Sequence, residues 1–168
     1  SAWREVPARV RVVPYAYTPT EAASQGVERL AAHLFGDNVK LHSARPVAFG
    51  DEDSLASGGR GEVSAVDLVI ALFNLASTPE TENHGVFLDG LKARVQGPVI
   101  VLVDESPYRL RLGAQSGTDA RLAERRQAWT GLVSTRGLTA VFAYLEASDL
   151  ACVQREIDLQ LSRVTAAG

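Results

Sequence analysis

The stretch Val66-Asp-Leu-Val-Ile-Ala-Leu-Phe-Asn-Leu-Ala-Ser-Thr-Pro-Glu-Thr-Glu-Asn-His-Gly85 decides the fold. Its first half is a near-continuous run of branched and aliphatic residues. It is too short to span a membrane and has the length of a strand covered on both faces, as in the middle of a parallel sheet. Its second half turns polar at once. Ser77-Thr78-Pro79-Glu80 reads as a helix start, with a hydroxyl N-cap, a proline in the first turn and carboxylates at the positive end of the helix dipole. Strand, short loop and helix thus follow one another within a few residues. In open α/β sheets ligands lie beyond the carboxyl ends of the strands, which places any site at this junction.

Upstream, Arg9 to Tyr17 reads as a strand around Val10, Val12 and Val13, and Thr18-Pro19-Thr20-Glu21 repeats the start signal as a capping box. Ala23, Val27, Leu30, Ala31 and Leu34 then fall on one helical face, and Gly36 ends the helix in a left-handed conformation. Val39 to His42 and Pro46 to Phe49 are short strand candidates at an edge, because Pro46 has no N–H to give to a ladder. Gly50 to Ser64, rich in Asp, Glu, Ser and Gly, reads as a flexible surface loop.

Downstream, Phe87, Leu88, Leu91 and Val95 form the inner face of a second helix stopped by Gly97-Pro98, and Val99 to Val103 is the next buried strand. Tyr108 to Gly117 reads as a long connection. The helix after it carries Leu122, Trp129, Leu132 and Val133 inward and stops at Gly137; Leu138 to Leu145 is a last strand, and Leu150, Val153, Ile157, Leu161 and Val164 mark a final amphipathic helix. Strands alternating with helices predict one α/β domain, a three-layer sandwich on a mainly parallel sheet of about five strands. Rossmann-like, P-loop-like and flavodoxin-like strand orders all fit.

Composition narrows the function. The 168 residues, 46% of them hydrophobic, suffice for a real core. A net charge of -3 without a basic run argues against nucleic acid as a partner. The single cysteine, Cys152, excludes a disulfide within the chain and reads as core or near-core. The chain has no methionine and begins Ser1-Ala2-Trp3, so the expectation is that something preceded it: a tag, a signal peptide or a membrane segment outside this stretch.

Three strand ends place a hydroxyl residue and a proline where a nucleotide-binding loop needs glycines: Tyr17-Thr18-Pro19, Ser77-Thr78-Pro79 and Glu105-Ser106-Pro107. A phosphate cradle aims several backbone N–H groups at the anion; proline has none. No G-x-x-x-x-G-K-[ST] occurs, and Gly59-Arg60-Gly61 lacks the strand-to-helix context of a dinucleotide fingerprint.

The strongest catalytic constellation is Glu80, Glu82 and His84 with Asp104 and Glu105. Glu80 and His84 share a helix face at a spacing of four, and Asp104 stands at a strand tip, which would suit a metal-dependent hydrolase. The plainer reading makes the glutamates dipole partners, His84 a solvated surface residue and Asp104 a turn former. Arg109, Arg111, Arg121, Arg125 and Arg126 concentrate positive charge, suited to an anion or an acidic partner and more simply read as a solvated face diluted by Glu124. Residues Asn74, Ser77, Thr78, Glu80, Glu82, His84, Asp104, Glu105, Ser106, Tyr108, Arg109 and Arg111 form the candidate functional surface. None is assigned a catalytic or metal-binding role, and no cofactor is expected.

Asn74-Leu-Ala-Ser-Thr-Pro-Glu-Thr-Glu-Asn-His-Gly85, Val103-Asp-Glu-Ser-Pro-Tyr108 and Arg121-Leu-Ala-Glu-Arg-Arg-Gln-Ala-Trp129 resemble an uncharacterised family of bacterial membrane proteins, the domain of unknown function 2868. The resemblance implies a cytoplasmic C-terminal portion with transmembrane helices upstream, at the inner membrane, and a GTPase-like membrane protein as partner. It carries no established activity, so it transfers no catalytic residue. The expectation is a regulatory or protein-interaction domain without a phosphate loop. The alternatives are the metal-dependent hydrolase and a small-ligand or nucleotide-binding domain with Arg109 and Arg111 on the phosphates.

Overall fold

Apolar side chains pointing alternately to either side of the inner strands give the sheet two buried faces. The computed structural model describes residues 9–37, 39–43, 45–47, 68–77, 82–95, 98–112, 118–147, 154–155 and 158–159. Strand β1 (Arg9–Pro14), β2 (Lys40–Ser43), β3 (Leu68–Asn74), β4 (Val99–Asp104) and β5 (Ala140–Ala143) form one sheet, all pairs parallel, in the order β2-β1-β3-β4-β5. This doubly wound order is the flavodoxin-like one of the three the sequence allows, with its topological switch point between β1 and β3.

Even-numbered residues of the central strands point one way. Leu68, Ile70 and Leu72 of β3 and Ile100 and Leu102 of β4 pack with Val27, Leu30 and Leu34 of α1 (Glu21–Phe35). Odd-numbered residues Val69, Ala71, Phe73, Val101 and Val103 pack on the opposite face. There they meet Phe87, Leu88 and Leu91 of α2 (Glu82–Arg94) and Leu122, Trp129 and Val133 of α4 (Thr118–Ser134). A helix on either side of one parallel sheet is the three-layer sandwich expected. Its inner helical faces are those the periodicity marks.

Local signals differ in three places. The N-cap of α1 is Thr20, whose Oγ1 accepts from Ala23 N at 3.1 Å, and not Thr18, so no Thr18–Glu21 capping box forms. The connection after β4 is not irregular throughout: Ser106–Leu112 is helix α3, opened by Arg109 N donating to Glu105 O, with Pro107 in its first turn where a missing N–H costs nothing. The first and last strands are shorter than their apolar text, β1 reaching Pro14 with only an isolated bridge at Tyr15↔Val47, and β5 spanning four residues. β2 lies at the sheet edge, as expected; of the Pro46 to Phe49 candidate, Pro46 is outside the strand, Val47 makes only the isolated bridge, and 48–49 lie outside the described residues.

Two glycines are required. Gly137, at φ 71, turns the chain after α4, with Leu138 N donating to Val133 O. Gly26 of α1 lets the helix approach the chain beyond β5, because a Cβ there would stand 2.2 Å from Leu145 O. The Gly50 to Ser64 loop and Cys152 lie outside the described residues, as does most of the final helix, of which 154–155 and 158–159 are helical. His33 Nε2 on α1 lies 2.9 Å from Asp158 Oδ2. Among the described residues no helix is long and apolar enough to cross a membrane.

Candidate functional site

Parallel register brings Asn74, Asp104 and Ala143 into one row at the carboxyl edge of the sheet. Leu75 N donates to Asp104 O and Glu105 N to Ala143 O, so the ladder runs on just past the strand tips. Side-chain alternation therefore continues too. It separates the two adjacent acids: Asp104 keeps the parity of Ile100 and Leu102 and turns toward the α1 side, whereas Glu105 follows Val101 and Val103 toward α4. Both are buried, each 1% exposed, and Ser106 beside them is fully buried.

On the α1 side, Asp104 Oδ1 accepts from Ser106 N at 2.9 Å and Oδ2 from the Tyr17 hydroxyl at 3.4 Å. Ser106 Oγ accepts from Glu146 N at 3.0 Å, and Thr20 Oγ1 donates to Glu146 Oε1 at 2.9 Å. The loops after β1, β4 and β5 are thereby joined through polar side chains. Tyr17 reaches this position because Ala16 takes a left-handed φ of 63, held by Ala16 N donating to Val47 O and Val47 N to Pro14 O. Burial raises the Asp104 pKa, the two Ser106 hydrogen bonds oppose that rise, and the charge of Glu146 adds to it. Burial likewise pushes the Tyr17 phenol far up, reinforced by the charge of Asp104 and its hydrogen bond.

On the α4 side, Glu105 is gripped by two arginines. Arg126 donates Nε to Oε2 and Nη2 to Oε1, the latter at 2.8 Å, and Arg109, one helical turn along α3, donates Nη2 to Oε1 at 2.8 Å. A two-pronged arginine fork of this kind fixes direction as well as charge. The guanidinium of Arg109 lies 5.3 Å from the centre of the Tyr144 ring, that of Arg126 5.9 Å from Phe142, and that of Arg125 5.7 Å from Tyr108. Arg125 Nη1 also reaches Ser77 O at 3.5 Å.

Of the possible catalytic constellation, the described side chains His84, Asp104 and Glu105 each have surroundings of their own. His84 is not a solvated surface residue: it is 1% exposed, with ring centres of Tyr15, Phe73 and Trp129 at 5.2, 5.8 and 5.1 Å. The odd-parity face of the sheet meets α2 there, and an imidazole fits among the rings. Among the described residues no three His, Cys, Asp or Glu side chains gather as metal ligands. Arg109 and Arg126 are not simply a solvated face, since both pair with Glu105. Asp104 is a turn former as well as a buried acid, through its bond to Ser106 N. Asn74 forms a similar turn, its Oδ1 accepting from Ala76 N at 2.9 Å.

Of the twelve candidates, Asn74, Ser77, Asp104, Glu105, Ser106, Tyr108 and Arg109 gather at the carboxyl edge. Thr78 and Glu80 lie outside the described residues, and Glu82 and Arg111 are described as helical backbone only. The sequence pattern does not mark Glu146, and it marks Tyr17 only as a strand end and Thr20 only as part of a helix start. Tyr17 is 87 residues from Asp104 and Thr20 is 126 from Glu146, separations at which no periodicity carries a signal. Against known proteins, the chain matches no family model and no curated sequence.

Proposed function

We propose that this chain is a non-catalytic regulatory or protein-interaction α/β domain, working through the carboxyl edge of its sheet. The observation that carries the reading is the internal commitment of both edge carboxylates. Asp104 is held by Ser106 N and Tyr17, and Glu105 by Arg126 and Arg109, each acid 1% exposed. A general base or metal ligand needs a lone pair turned toward its substrate, and these are turned toward the protein. What the edge offers outward is its turns, tyrosines and arginine faces, the equipment of a recognition surface.

The resemblance noted above extends the proposal to a membrane-associated bacterial protein, at the cytoplasmic face of the inner membrane, with a GTPase-like membrane protein as partner. Tethering would come through a segment outside this chain.

Small-ligand binding is the second reading, favoured by one cleft of about 240 Å³ beside β1, with Val12, Thr18, Ser24, Leu41 and Leu72 among its walls. It falls short of the roughly 300 Å³ at which drug-sized pockets begin. Thermal melts of the purified domain with nucleotides, divalent metals and phosphorylated metabolites separate the readings. The interaction domain predicts unchanged melting. A ligand at a hundred times its dissociation constant would add about 2.7 kcal/mol, and such a gain would overturn the proposal.

A further inference from the structure

Resting on the interaction-domain reading, we infer that the partner engages this edge through an acidic protein segment, received by Arg125 and Arg109. The chain as a whole is acidic, with a net charge of -3, yet on the α4 side of this edge Arg109 and Arg126 both bond Glu105, and Arg125 meets a backbone carbonyl, Ser77 O. Arg109 keeps 37% of its side chain exposed while bonded to Glu105.

The arginines are also held in place. Arg125 lies over the Tyr108 ring and Arg109 over Tyr144, and Tyr108 and Arg109 are neighbours on α3. Ser77, α3 and Tyr144 follow β3, β4 and β5 in turn, so Arg125 and Arg109 line up across the strand ends. A guanidinium resting on an aromatic face has lost little further freedom when a carboxylate arrives, and its planar fork matches carboxylate geometry. Arg125 has the looser attachment, its contact to Ser77 O being 3.5 Å, and is the arginine most readily given to a partner.

The test is fluorescence anisotropy with a labelled hexaglutamate peptide at low salt, using the wild-type domain, Arg125→Gln, Arg125→Lys and, on the distant α1, Arg29→Gln. Wild type and Arg29→Gln are expected to bind alike. Arg125→Gln is expected to bind about tenfold more weakly, the worth of one charge-assisted contact. Arg125→Lys keeps the charge and loses the fork, so it too is expected to weaken. Absence of wild-type binding, equal loss in Arg29→Gln, or full binding by Arg125→Lys overturns the inference and leaves the interaction-domain reading standing. Competition by inorganic pyrophosphate together with a raised melting temperature overturns both, in favour of a small-anion site. Melting curves of each variant show whether the fold is kept.

Discussion

The Tyr17 hydroxyl stands 3.4 Å from Oδ2 of Asp104, joining the loop after β1 to the tip of β4 across 87 residues of sequence. It is directed there by the left-handed Ala16 and by the parity of β4. Tyr17→Phe keeps the ring and removes the donor. The expected cost is about 0.5–1.5 kcal/mol, a melting temperature lower by about 2–4 °C per kcal/mol for a domain of this size. Paired thermal and urea denaturation of wild type and variant checks it; equal stability would show that the bond contributes nothing.

The same acid sets a pH dependence. Burial makes the folded-state pKa of Asp104 higher than its unfolded value, so the native state holds this proton more tightly. The sign follows from linkage: this group's contribution favours folding below the unfolded carboxylate value and is lost as pH rises through the raised folded value. Asp104→Asn, neutral throughout, is expected to flatten that part of the stability profile. Urea unfolding from the ordinary carboxylate range up to neutral pH measures it, and parallel profiles for the two proteins would contradict the assignment.

Glu105 behaves oppositely on mutation, because its charge is compensated. Glu105→Gln leaves Arg126 and Arg109 facing an amide and is expected to cost about 1.5–3 kcal/mol, the range for hydrogen bonds to charged groups. With Arg126→Gln in a double-mutant cycle, the coupling should exceed about 0.5 kcal/mol, which additive losses would rule out.

Two glycines make a contrast. Gly26→Ala drives a methyl into the backbone at Leu145, 2.2 Å away, and is expected to cost about 1–3 kcal/mol. Gly131→Ala on α4 meets nothing within 4 Å and should stabilise by about 0.4–1 kcal/mol through the unfolded chain. Guanidinium titrations of the pair give both signs in one experiment.

Much of the architecture was legible. The apolar run at Leu68–Asn74 gave β3, and the steps from Ala23 to Leu34 gave the buried face of α1. In the sequence Ser106-Pro107 reads as the close of a strand, whereas it opens α3, because hydroxyl-proline pairs mark turns and helix starts alike. The candidate edge was half legible. Placing Asp104 and Glu105 there needed only the strand boundary, but His84 was misread, since a single histidine at a helix start carries no mark of the aromatic side chains that will surround it.

The sequence by itself determined the kinds of element, their order and which side chains face inward, because these follow from periodicities of two and 3.6 residues that are local in the chain. The tertiary structure alone decided the strand order, the opposite destinations of Asp104 and Glu105, and their partners Tyr17 and Arg126. Those outcomes depend on which strand lies beside which, and parallel pairing through crossovers joins residues too far apart for any local pattern to encode.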